Sequence, residues 1–156
     1  MFRVLFKPFA TAIVMATGLV GCASSPPKQF TRSADEFTPC SSAPHCVSSQ
    51  APRDGSKYVE PLRFAGATAA AARQALLKTL YAAEGAKVER AENRFVHATF
   101  RTTVGFVDDV TFLIQPDAQI IDVKSSSRIG YYDFNVNRRR VEQLRARFDA
   151  LLDTAV

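Results

Sequence analysis

The residues best suited to chemistry fall in two short runs of this 156-residue chain. The first is Gly105-Phe-Val-Asp-Asp109, which sets two carboxylates side by side in a strand-like stretch. Side chains alternate along a strand, so Asp108 shares a face with Val110, Phe112 and Ile114, whereas Asp109 points the other way. A carboxylate on an apolar face needs a partner. The second run is Ser125-Ser-Ser-Arg-Ile-Gly-Tyr-Tyr-Asp-Phe-Asn-Val-Asn-Arg-Arg-Arg140, and it puts Arg138, Arg139 and Arg140 in the first turn of a helix. The helix dipole is positive there and disfavours each cation by roughly 0.3–1 kcal/mol. Two arrangements would compensate. In one, Asp108, Asp109 and Asp133 pair with Arg128, Arg138 and Arg140 in an internal network that also takes in Asn137. In the other, an anion or partner molecule sits at the helix start, with Ser125 and Ser127 as hydroxyl donors. A serine hydrolase built from Ser125 or Ser127 with His97 and Asp108 is a third reading. It lacks a G-x-S-x-G elbow, and His97 has the opposite strand parity to those serines, so no catalytic residue is assigned.

The cysteines carry a different kind of chemistry. Arg3 and Lys7 precede an apolar run of 12 residues, Phe9 to Val20. A helix of that length spans about 18 Å, too short for a hydrocarbon core of roughly 30 Å, so residues 1–21 read as a signal peptide. Leu19-Val20-Gly21-Cys22 closes it and resembles the bacterial lipobox. That resemblance implies an acylated Cys22 at the mature N-terminus, with several chains giving stable anchoring. Ala23 rather than Asp follows, which predicts the outer membrane facing the periplasm. Residues 22–39 are rich in small residues and Pro without apolar period, and read as a flexible tether. Cys40 and Cys46 remain, two thiols in an oxidising compartment, and are expected to form a disulfide. A redox pair would want C-x-x-C rather than C-x5-C. A metal site through Cys40, His45 and Cys46 lacks a fourth ligand, so neither metal nor cofactor is expected.

The elements that must position these residues follow from periodicity, and they make residues 40–156 one domain. Tyr58–Leu62 is a short strand candidate, limited by Pro61. Thr68 can cap a helix through Glu84, with Gly85 as its stop. From Ala86 the period becomes two, giving four strands over 86–92, 94–102, 106–115 and 119–128, joined by short turns. A last helix over 136–153 buries Val141, Leu144, Phe148, Leu151 and Leu152, with Asp133 or Asn135 as cap. The order strand, helix, four strands, helix predicts an α+β fold: a curved antiparallel sheet with both helices on one face. This order looks like the TATA-binding-protein-like and helix-grip arrangements.

Charge narrows the function. The chain carries 20 basic and 15 acidic side chains. Losing Arg3 and Lys7 with the leader leaves a net charge of +3, too small and dispersed for a nucleic-acid binder. The Cys40–Ser49, Gly105–Asp109 and Ser125–Arg140 segments together resemble the domain-of-unknown-function 1499 family over most of residues 39–148. Ser41, His45 and Asn135 stand where that pattern has Pro, Asn and Gly, and Asn tolerates a left-handed backbone. The resemblance implies the fold and an envelope setting, and no catalytic residues. The expectation is an envelope lipoprotein, held to the membrane through Cys22, whose periplasmic domain binds an anionic ligand or an envelope protein without chemistry. A carrier of an apolar ligand in a helix-grip cavity is the alternative.

Overall fold

The computed structural model describes residues 29–154. Cys22 and the leader lie outside the described residues. Six strands and two helices occur in the order β1 (Cys46–Ser48), β2 (Leu62–Arg63), α1 (Ala69–Tyr81), β3 (Ala86–Ala91), β4 (Phe95–Arg101), β5 (Val107–Gln115), β6 (Ile120–Ser127) and α2 (Val136–Asp153). The four long strands form an antiparallel meander, and the sheet order is β1-β6-β5-β4-β3. Both short strands share the outer edge of β6: β1 pairs with Lys124–Ser126 and β2 with Ile120 and Ile121. At the opposite edge, β3 shifts register against β4 between Val88 and Arg90. The fold is the α+β arrangement that the periodicity predicts.

Some boundaries differ, each for a local reason. The strand expected over Tyr58–Leu62 is β2 at Leu62–Arg63, since Pro61 has no N–H for the ladder, and β1 at Cys46–Ser48 precedes it. Tyr58 makes only an isolated bridge to Ser48. Thr68 caps α1 as expected, accepting from the Ala71 amide at 3.1 Å. The helix stops at Tyr81, before Glu84. Gly85 has another duty: Arg101 N–H donates to its carbonyl, and a Cβ there would sit 2.7 Å from the Arg101 oxygen.

Both helices lie on one face. The core between them and the sheet includes Leu76 and Leu80 of α1, Val110, Phe112 and Ile114 of β5, and Val141, Leu144 and Phe148 of α2. Phe112 and Phe148 are wholly buried there. The second face of the sheet is covered as well. Residues 29–39, expected as part of the tether, fold back across it. Phe37 is buried, and the Phe30 ring lies 4.3 Å from the His97 ring. Gln50 fixes this strap, accepting from the Phe37 amide and donating to the Asp35 carbonyl, each at 2.8 Å. The remaining tether, residues 22–28, lies outside the described residues. A disulfide joins Cys40 to Cys46 between the strap and β1, with Cα atoms 5.7 Å apart.

Candidate functional site

Asp108 and the start of α2 meet on the helix face of the sheet. Asp108 is 1% exposed, and its Oδ2 accepts from Arg140 Nη2 at 2.5 Å. Its Oδ1 is buried with no hydrogen-bond donor among the described residues. The Arg140 guanidinium also lies 4.8 Å from the centre of the Phe100 ring, a cation–π contact. Asn137 is wholly buried beside it. Its Oδ1 accepts from Ser125 Oγ and, at 2.8 Å, from Arg140 Nη1. Its Nδ2 faces the His45 carbonyl, Ser127 Oγ and Asp133 Oδ2, all within 3.1 Å.

The excess of positive charge at this helix start is answered from within the chain. Asn135 is the cap residue by position, left-handed at φ 63°, but its side chain caps nothing. Asp133 supplies the carboxylate, accepting from the Asn135 and Asn137 amides. Burial works against that carboxylate, but these hydrogen bonds prevail and hold its pKa below the ordinary range. Arg138 reaches neither Asp133 nor Asp109. It donates to the carbonyls of Tyr58 and Ser56, some eighty residues away in sequence. Arg139 donates to the Phe134 carbonyl.

A second cluster lies on the strap face, as the opposite parity of Asp109 requires. Asp109 is 5% exposed and accepts from His97 Nε2 at 2.8 Å and from Arg128 Nε and Nη2 at 2.9 and 2.8 Å. His97, on the outward parity of its strand, is 4% exposed because Phe30 covers it. Ser125 belongs to the helix face and His97 to the strap face, so the structure does not bring the serine, histidine and aspartate set together. Burial raises the Asp109 pKa, yet the His97 and Arg128 hydrogen bonds and the Arg128 charge outweigh it and leave it lowered. A carboxylate with a depressed folded pKa contributes stability above its unfolded value of about 3.9 and loses it as pH falls through the folded value. Thermal melts should therefore fall more steeply for the wild type than for Asp109→Asn as pH drops below about 4. Parallel slopes would remove Asp109 from the acid response.

Next to the Asp108 cluster a groove of about 1020 Å³ runs between α2 and the end of β4. Arg101, Arg139, Arg140 and Arg147 line it, with Glu84 as the single carboxylate of the lining. Phe100, Val136 and Leu144 give it an apolar floor. Arg101 has no carboxylate partner among the described residues, and Arg147 donates to the Ala82 carbonyl. Periodicity alone does not single out Arg101 and Arg147, since the end of β4 and the fourth turn of α2 meet only through the fold. Tyr131 and Tyr132 are 74% and 58% exposed.

Among the described residues there is no group of three or more His, Cys, Asp or Glu side chains that could hold a metal ion. No helix among them is long and apolar enough to cross a membrane. A family model described as "Protein of unknown function (DUF1499)" matches residues 36–148. Neither a curated protein nor a solved structure matches the chain.

Proposed function

The chain belongs to the DUF1499 family of proteins of unknown function, and we propose that it is a lipid-anchored envelope protein whose domain binds an anionic ligand without chemistry. The groove beside α2 carries this reading: Arg101, Arg139 and Arg147 face one carboxylate over an apolar floor, with Arg140, engaged by Asp108, in the wall. Guanidinium forks suit phosphoryl and carboxylate groups. The Asp108 cluster is engaged with Arg140 and holds α2 beside the groove, and the Asp109 cluster is engaged with Arg128 and His97 on the opposite face of the sheet, so neither carboxylate meets the ligand. The anchor rests on the Leu19-Val20-Gly21-Cys22 lipobox.

Two probes share the phosphoryl chemistry and separate its sources: inorganic phosphate and short-chain dihexanoyl phosphatidylglycerol. A ligand held only by the folded state raises stability by about 2.7 kcal/mol at a concentration 100 times its Kd. One or both probes should raise the melting temperature of the wild type, and Arg101→Gln/Arg147→Gln should abolish the rise. Both side chains are exposed, so the variant keeps its own melting point. If neither probe moves the wild type, or the variant responds equally, the groove is not an anion site. Incorporation of a palmitate analogue, lost in Cys22→Ser, tests the anchor separately.

A further inference from the structure

Seven large hydrophobic side chains are exposed among the described residues, and six of them sit in two loops: Val104, Phe106, Ile129, Tyr131, Tyr132 and Phe134. The loops are neighbours. Arg101 pairs with Val107, Asp108 pairs with Ser127, and the Arg128 amide donates to the Val107 carbonyl. The β4–β5 hairpin tip and the β6–α2 connection thus emerge at the same end of the sheet. Phe134 is held there in a left-handed backbone, φ 52°, with its ring 74% exposed and edge-on to Tyr132 at 5.1 Å. A bulky residue adopts that conformation only under constraint. Here the constraint turns an aromatic ring outward. The arginine groove opens beside these loops, lined by Thr102, Thr103 and Arg139.

The described chain begins on the strap face near the middle of the sheet, with Phe30 against His97. Gln29 lines one cleft with Asn93, Phe95 and Leu113 and another with Asp109, Ser127 and Arg128, the latter next to the point where β6 gives way to the aromatic loop. Seven residue steps separate Gln29 from Cys22, at most about 25 Å of chain. The turn between β5 and β6 lies at the far end, a nine-residue strand away.

We infer that this end is a membrane-docking face: the acylated N-terminus holds the domain end-on to the bilayer, with Phe106, Tyr131, Tyr132 and Phe134 in the lipid interface. This rests on the lipid-anchor reading above. Tyrosine suits the headgroup level, where an apolar ring body and a polar hydroxyl are both accommodated. Arg101 and Arg139, beside the aromatic loops, face anionic headgroups. A tether of 25 Å or less keeps the face within reach of the membrane, so weak insertion suffices.

The chain contains no tryptophan, so single-tryptophan variants report depth without background. Full-length Tyr132→Trp, Phe106→Trp and Asp117→Trp are expressed with the native leader. Each is checked by mass for acylation at Cys22 and reconstituted in phosphatidylethanolamine and phosphatidylglycerol vesicles bearing brominated acyl chains. Asp117 is exposed on the far turn and serves as the reference. Quenching several-fold stronger at positions 132 and 106 than at 117 is the expected result. Acylated protein with equal, weak quenching at all three positions overturns the docking face and leaves the anchor standing; the aromatic loops then belong to a protein partner. Protein without acyl mass at Cys22 overturns both.

Discussion

Replacing Arg140 by methionine is expected to lower the stability of the domain by about 3–5 kcal/mol, because it strands a buried carboxylate. Asp108 is 1% exposed, and among the described residues Arg140 is its one cation at hydrogen-bonding distance. Its other oxygen already lacks a donor among the described residues, so nothing nearby takes over. Asn137 loses a donor to its Oδ1 in the same step, and Phe100 loses the cation over its ring. A typical domain has 5–15 kcal/mol in hand, so the variant is left with a small fraction of its stability. Chemical denaturation gives the number. The double variant Asp108→Leu/Arg140→Met should recover much of the loss, since an apolar pair of similar volume carries no desolvation penalty. A loss below about 1 kcal/mol in the single variant would place the pair among exposed ion pairs instead.

Asn137→Ala is expected to cost about 3 kcal/mol, towards the upper end for a buried hydrogen-bonding group left without its partner. Asn137 ties β6 to the helix start through Ser125 and Ser127, and to the β1 segment through the His45 carbonyl. Ser125 is wholly buried and would keep an unsatisfied hydroxyl. Asn137→Asp separates shape from hydrogen bonding. It preserves the volume but turns a donor into an acceptor facing a carbonyl, a hydroxyl and the Asp133 carboxylate. It should therefore unfold in denaturant at least as early as Asn137→Ala. Recovery of wild-type stability in Asn137→Asp would mean that packing alone holds this corner.

Strand parity made half of the candidate site legible. Alternation along 106–115 separates Asp108 from Asp109, and the structure places them in two clusters on opposite faces. The arginine run at the start of α2 signalled a need for compensation, but periodicity carries no register between distant segments. It could not show that Arg138 answers to backbone carbonyls near Tyr58. The fold was legible where elements were long enough to show a period. β1 has three residues and β2 two, and neither offers an alternation to read. The strap was hidden for a similar reason. Phe30 and Phe37 bury themselves without helix or strand spacing, and their cover turns His97 from an outward residue into a buried one.

The free edge of the sheet belongs to β3. Its register slip between Val88 and Arg90 interrupts the ladder, and Lys87, Glu89 and Arg90 crowd the short strand with charge. Such irregular, charged borders discourage a second sheet from joining by strand addition. On the proposed lipid anchoring, copies would share one surface and meet in parallel orientations. A straight, neutral border would favour side-by-side pairing there, and this kinked, charged one disfavours it.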